Sequence, residues 1–254
     1  MTIAIVIPAF NEASTVRDVV TRALREAERV IVVDDGSDDG TGEMLRDLPV
    51  TVLRNPVNLG KASSLRRGML TALAEGASAV VTLDADAQHE PEDIPRLLAA
   101  HARNPHAIIV GARLHEKSRI PRARYLANRF ANFWIAWAAG YPISDSQSGF
   151  RLYPAPVLAA LDIRNDRSPG FVFESAVLIN AARVGVVSEA VGVSAIYPQG
   201  ARRSHFRPVV DVLLITRMVA WKLLSRGFDI PGLLRSRRPP TSTVRHGLMD
   251  EVRE

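Results

Sequence analysis

The chain has no cysteine. That excludes disulfide frameworks, cysteine nucleophiles and metal sites built on thiolates, and it suits a reducing compartment. Long apolar runs are missing too. The longest uncharged apolar stretch, Phe130 to Ser144, has 15 residues, short of the ~20 a spanning helix needs. No basic segment precedes the apolar start Met1 to Phe10, so no secretory signal is expected and the mature chain is expected to begin there. Familiar phosphate loops fail on spacing. Gly36, Gly40 and Gly42 fall as G-x-x-x-G-x-G, not the dinucleotide pattern. Gly60-Lys61 lacks the upstream glycine and following Ser/Thr of a P-loop, and no H-E-x-x-H occurs.

What is present is ordinary globular material. The 254 residues are 47% hydrophobic and 23% charged, enough for one large domain or a domain with an appendage. The net charge of +5 hides a strong asymmetry. Residues 1–100 hold 10 Lys and Arg against 16 Asp and Glu, whereas residues 101–254 hold 22 against 11. The second part therefore faces something anionic: phosphate, lipid headgroup or nucleic acid.

Short β-branched runs at Ile3–Ile7, Val30–Val33, Val50–Leu53, Ala79–Leu83 and Ile108–Val110 read as buried strands. Helical patterns at Ser14–Glu28, Gly42–Leu48, Lys61–Glu75 and Pro91–Ala102 alternate with them. This order predicts an α/β fold with a doubly wound, mostly parallel sheet and helices on both faces. Ligands bind such sheets beyond the carboxyl ends of the strands. There the chain places Pro8-Ala9-Phe10-Asn11-Glu12, Asp34-Asp35-Gly36-Ser37 and Asp84-Ala85-Asp86-Ala87-Gln88-His89.

Asp84-Ala85-Asp86 is the central chemical signal. In extended backbone, residues two apart point the same way, so both carboxylates can meet one hard divalent cation, and Gln88 continues the spacing. The plainer reading is a strand-end turn that caps the next helix. Asp35 is placed to accept from a ribose hydroxyl or a base N–H. Gly60-Lys61 opens a helix and can bring backbone N–H groups or an ammonium near phosphate.

These segments, with Asn58-Leu59-Gly60-Lys61, resemble inverting family 2 glycosyltransferases of the GT-A fold, in the branch of dolichyl- and polyprenyl-phosphate mannose and glucose synthases. The resemblance spans roughly residues 3–207. It implies that Pro8, Phe10, Glu12, Val33 and Asp35 surround the nucleoside of a GDP- or UDP-linked sugar. Asp84, Asp86 and Gln88 would hold Mg²⁺ or Mn²⁺ on the donor diphosphate, with Ala85 and Lys61 on the substrate side. Arg113 matches an arginine that meets phosphate. Ser148-Gly149-Phe150-Arg151 matches an acceptor-loop motif that makes Ser148 a substrate contact and Arg151 a catalytic candidate. Near Gly200 to Arg207 the chain departs from the branch: His205 stands for a lysine, and Arg203 and Arg207 become the phosphate candidates.

The implied reaction moves a hexose to a polyprenyl phosphate or other lipid acceptor at the cytoplasmic face of the cell membrane. A hydroxyl acceptor on a glycan or glycolipid is the alternative, and it would need a carboxylate base, Asp145 or Glu174. A non-catalytic membrane-associated scaffold of the same fold is a further one. The basic stretch from Arg113 to Arg129 carries no nucleic-acid motif, so no nucleic-acid partner is expected. Tyr125–Gly140 fits a helix. Val209–Phe228 fits another, with Asp211, Lys222 and Arg226 on one arc and Val212, Ile215, Val219 and Leu223 elsewhere, as in an interfacial helix. The expected organisation is a catalytic domain at 1–208, an amphipathic helical segment at 209–234 and a basic, flexible tail at 235–254.

Overall fold

The computed structural model describes residues 2–112, 122–164, 172–194, 196, 208–225 and 227–237. Seven strands form one sheet: β1 (Ile3–Ala9), β2 (Arg29–Asp34), β3 (Thr51–Arg54), β4 (Ala79–Thr82), β5 (Ile108–Ala112), β6 (Arg151–Pro154) and β7 (Ser188–Gly192). Their spatial order is β3-β2-β1-β4-β6-β5-β7. All neighbours pair in parallel except β6, which runs antiparallel to both β4 and β5. This is the expected mixed α/β fold with a mostly parallel central sheet. The short strand β6, not anticipated from its four residues, joins the two parallel portions.

Strand alternation sorts the core into two layers. Ala4 and Val6 of β1 face one layer, with helix α2 (Lys61–Ala74) supplying Leu65 and Met69. Ile5, Ile7 and Ala9 face the other, with α1 (Val16–Ala23) and α3 (Ile94–Arg103) supplying Val19, Val20 and Leu97. Both faces are covered, which is why β1, β2 and β4 read as unbroken apolar runs. β3 is the exception: it lies at the sheet edge and is largely exposed, so Val50–Leu53 does not form the buried strand expected. The expected helix at Gly42–Leu48 is a single 3₁₀ turn, Glu43–Leu45.

Beyond α3 the described residues continue with α4 (Arg122–Ala139), α5 (Ala155–Ala160), α6 (Val172–Arg183) and α7 (Pro208–Leu224), on the α2 side of the sheet or beside it. The run expected to reach Phe228 ends at Leu224, because Gly227 and Phe228 take φ of 61° and 56° and turn the chain into α8 (Ile230–Ser236). Asp229 caps α8 by accepting from the Gly232 N–H at 2.9 Å. On α7 the buried residues are Ile215, Val219 and Leu223. Lys222, expected on an outward charged arc, donates instead to Asn180 of α6 at 2.5 Å. Among the described residues no helix is long and apolar enough to cross a membrane. The expected tail at 235–254 lies mostly outside the described residues.

Leu97 is fully buried in the layer beneath α3. Leu97→Ala should therefore lower unfolding free energy by about 2–5 kcal/mol in denaturant titration, with ligand affinity unchanged. A loss of only about 0.5 kcal/mol, the scatter of surface substitutions, would contradict the assigned packing.

Candidate active site

The first two strand-end loops are laced into one unit. The Asp35 N–H donates to the Ala9 carbonyl at 2.8 Å. The Asn11 N–H donates to Ser37 Oγ at 2.9 Å, and Asn11 Oδ1 accepts from the Asp38 N–H at 3.0 Å. The Glu12 N–H reaches Thr41 Oγ1 at 2.8 Å. Asn11 adopts φ of 57° to do this, a conformation asparagine tolerates better than most residues. Gly36 is required at its turn: at φ +74° an added Cβ would meet the Val57 carbonyl carbon at 2.6 Å.

Asp35 is turned inward. It is 3% exposed, and its carboxylate accepts from Asn55 Nδ2 at 2.7 Å, the Leu59 N–H at 3.0 Å and the Gly60 N–H at 2.8 Å. Its visible work is to fix the entry into α2, where Gly60 sits at φ +87° and Lys61 is the first helical residue. Val33 also differs from expectation. Its side chain is wholly buried in the core, leaving only its backbone for a ligand.

β4 delivers the acidic pair. Leu83 and Ala85 point into the core at 0% and 3% exposure, while Asp84 and Asp86 are partly exposed and close enough for their charges to repel; the strand itself ends at Thr82, and Ala85 and Asp86 lie in a turn. Ala85 therefore offers a ligand backbone rather than side chain. Asp86 Oδ1 accepts from the Gln88 N–H at 3.1 Å across Ala87, which turns at φ 55°. Burial first, then the Asp84 charge, pushes the Asp86 carboxyl up to about 6, and Glu12 adds to the repulsion.

Lys61 Nζ stands 2.7 Å from Asp84 Oδ1 and 3.3 Å from Glu174 Oε1. Burial opposes its charge, but Asp84 and Glu174 outweigh that and hold its pKa above the ordinary lysine value. Gly149 closes the cluster. A Cβ there would lie 2.7 Å from Asp84 Oδ2, 2.9 Å from Lys61 Nζ and 3.0 Å from Glu174 Oε1. The Gly149 carbonyl is held by Thr82 Oγ1 at 2.7 Å. The sequence reading gave Gly149 no role. Its position inside a matched loop motif was the only signal.

Arg151 corrects an expectation. It is fully buried, and its guanidinium donates to the carbonyls of Ser148 at 2.7 Å, Glu174 at 2.7 Å and Ser146 at 2.9 Å. Those donors are committed to protein, so Arg151 shapes the 146–150 loop and the start of α6 rather than reaching phosphate. Ser148 is likewise buried, its Oγ accepting from the Phe150 N–H at 3.3 Å. Asp145 Oδ1 accepts from the Gln147 N–H at 3.0 Å. The residue lines a cavity of about 150 Å³ with Val110, Tyr141 and Ser188, which Asp84, Asp86, Lys61 and Glu174 do not line. Of the two candidate bases, Glu174 is the one beside Asp84. Asn132 of α4 anchors the same loop, donating to the Ser144 carbonyl at 2.9 Å and accepting from the Ser146 N–H at 2.9 Å. Arg113, Arg203 and Arg207 lie outside the described residues.

The pair Asp84 and Asp86 fits a hard divalent cation in donor type, and Gly149 leaves space at Asp84 Oδ2 that any side chain would fill. Among the described residues no group of three His, Asp or Glu could hold a metal ion. Two carboxylates that leave coordination positions for phosphate oxygens match how Mg²⁺ is commonly bound.

Two outcomes follow from this geometry. Gly149→Ala must displace Asp84, Lys61 or Glu174, and should weaken Mn²⁺-dependent nucleotide binding by calorimetry at least about tenfold, or ~1.4 kcal/mol. Unchanged affinity would mean the cleft is not assembled as described. For pH, a carboxyl raised from 3.8 to about 6 binds more protons folded than unfolded, so its contribution to stability falls as pH rises through that window. A cation must expel that proton, so Mn²⁺ affinity should fall about tenfold per unit below pH ~6. A flat profile from about pH 5 to about pH 7, roughly one unit either side of that value, would remove Asp86 from the cation site.

Comparison with known proteins fits this arrangement. The chain is 31% identical to the undecaprenyl-phosphate mannosyltransferase of Micrococcus luteus, over 73% of this chain and 79% of that one. It is 28% identical to the UDP-N-acetylglucosamine–dolichyl-phosphate N-acetylglucosaminyltransferase of Methanococcus voltae, over 63% and 72%. Glucosyl-3-phosphoglycerate synthase from Mycobacterium tuberculosis, solved with Mn²⁺, UDP and glucosyl-3-phosphoglycerate, shares the fold. Its TM-score is 0.60 at 22% identity, covering 89% of this chain and 79% of that one. Residues 4–159 match the model of glycosyl transferase family 2, and the chain belongs to that family: it is a glycosyltransferase of the GT-A fold.

Proposed function

We propose that this glycosyltransferase moves a hexose, with inversion, from a GDP- or UDP-linked sugar to a polyprenyl phosphate, working with Mg²⁺ or Mn²⁺ at the cytoplasmic surface of the cell membrane. The observation that carries this reading is the convergence of Asp84 and Asp86 with Lys61 and Glu174 at the carboxyl end of β4, beside the laced loops of β1 and β2. The relatives named for undecaprenyl and dolichyl phosphate support the acceptor class. The neighbour solved with Mn²⁺ and UDP supports the donor class.

In this reading Pro8, Phe10 and Glu12 flank the nucleoside, and Asp35 holds the loop that carries Lys61. Asp84 and Asp86 would hold the cation, with Gln88 as the proposed third ligand. Bound there, it would supply positive charge to offset the negative charge building on the diphosphate. An oxygen of the acceptor phosphate attacks the anomeric carbon from the face opposite the diphosphate. The bond from that carbon to the diphosphate oxygen breaks, and the nucleoside diphosphate leaves with the electron pair. Lys61 holds Asp84 in place and keeps its own proton. A phosphate nucleophile is already an anion, so no base is needed. That suits a cleft whose nearest spare carboxylate, Glu174, is tied to an ammonium.

Asp84→Asn and Asp86→Asn should each lower transfer to polyprenyl phosphate by at least about 10²-fold, since each removes electrostatic stabilisation of the leaving group. The folded state should remain intact by circular dichroism. The assay follows release of nucleoside diphosphate and formation of glycosyl-phosphopolyprenol by mass spectrometry. Near wild-type turnover in both variants would refute the cation site. Transfer only to hydroxyl acceptors would refute the acceptor class.

A further inference from the structure

Helix α7 is apolar on two opposite sides. Ile215, Val219 and Leu223 are buried against the domain. Residues two apart lie about 200° apart around a helix, so Leu213, Arg217 and Trp221 face the other way. Ala220 and Leu224 extend that outer stripe. It is bare: Leu213 is 63% exposed, Trp221 71% and Leu224 57%. A helix apolar on both sides is ordinarily covered on both.

The bare stripe does not stand alone. Past Leu224 the chain turns through Phe228 into α8, where Ile230 and Leu234 are also exposed. Phe228 packs on Trp137 of α4 at 6.2 Å between ring centroids. From Trp137 a ladder of rings continues along α4 through Trp134 at 5.3 Å to Phe130 at 6.0 Å, and Phe130 is 63% exposed. On the opposite side of the same helix, two residues from Phe130 and from Trp134, Asn132 anchors the 144–146 loop beside Gly149.

We propose that the outer faces of α4, α7 and α8 form one docking face for an anionic lipid bilayer. This rests on the lipid-phosphate reading of the acceptor. Charge decides between a bilayer and a second copy of this chain. Arg217 and Arg237 are exposed on this face, and Asp229, the one acidic residue in 213–237, is already paired with Arg235 at 3.3 Å. A two-fold interface would set this basic surface against itself, whereas anionic headgroups neutralise it. Exposed tryptophan and phenylalanine beside arginine suit the boundary between headgroups and acyl chains. Seating on this face would bring α4, and through Asn132 the acceptor loop, next to the layer that holds lipid phosphates. The face differs from the stripe of Val212, Ile215, Val219 and Leu223 that the sequence of α7 offered to an interface, because packing on the domain takes Ile215, Val219 and Leu223 inward.

The test is co-sedimentation of the full chain with equimolar phosphatidylglycerol and phosphatidylcholine vesicles, and with phosphatidylcholine alone. The protein should bind the anionic vesicles at least about tenfold more tightly. Trp221→Glu with Leu224→Glu should weaken that binding by more than about tenfold. Val52→Glu, on the edge strand β3, should not. Independently of any charge-inserting variant, brominated acyl chains should quench the tryptophan emission of wild type, and Trp221→Phe should remove much of that quenching. No binding to either vesicle, equal binding by the double variant, or unquenched emission would overturn the proposal. So would a dimer in sedimentation velocity that the double variant dissolves without any vesicle binding. Calorimetry of nucleotide sugar with Mn²⁺ on the same proteins separates the two claims. Nucleotide binding without vesicle binding defeats the docking face alone, and vesicle binding without nucleotide binding defeats the proposed function.

Discussion

An ammonium held between two carboxylates ties the cleft together. Lys61 meets Asp84 at 2.7 Å and Glu174 at 3.3 Å, and so joins the start of α2, the end of β4 and the start of α6. Each contact is set from further back. Asp35 accepts from the Gly60 N–H and fixes where α2 begins. Arg151 donates to the Glu174 carbonyl and fixes where α6 begins. Gly149 has no side chain, which lets the three charged groups come together. Without the lysine, Asp84, Asp86 and Glu174 would leave several negative charges in a partly dehydrated cleft, which is costly unless a cation enters. The cleft thus favours positive charge before any ligand arrives, and Asp86, pushed up to about 6 by burial and by Asp84, marks where it is still lacking.

The sheet was legible because its strands obey a local rule. β1, β2 and β4 are covered on both faces, so apolar runs alone predicted them; Asp84 and Asp86 come out partly exposed between buried Leu83 and Ala85, although a turn rather than extended backbone places them. Asp35 and Arg151 do structural work that was not legible in the sequence, for a shared reason. Both lie in segments that match ligand-binding motifs, but their partners are the protein itself. The partners of Asp35 are Asn55, Leu59 and Gly60, and those of Arg151 are the carbonyls of residues 146, 148 and 174. Convergence of that kind has no period in a sequence. The inward residues of α7 could not be chosen from its wheel either, since two apolar stripes compete and only packing against α6 decides.

Buried polar groups and bare apolar ones divide the labour here. Asp35, Ser148 and Arg151 spend their hydrogen bonds on loops and helix starts, which makes the cleft rigid before substrate arrives. Leu213, Trp221 and Leu224 of α7 and Ile230 and Leu234 of α8 stay exposed, and remain for an external surface. Asn132 connects the two sets, since it lies on the helix that carries the aromatic ladder and, from the opposite side of that helix, bonds the loop next to Gly149.

The claim on which the account turns is that a divalent cation bridges Asp84 and Asp86 to a nucleoside diphosphate. Pulsed electron paramagnetic resonance of Mn²⁺ with the protein and UDP or GDP reads this directly. The account predicts phosphorus hyperfine coupling from the diphosphate on protein-bound Mn²⁺ with at least one of the two nucleotides. Mn²⁺ that remains a free aqua ion with both nucleotides, or binds the protein with no phosphorus coupling, would contradict it.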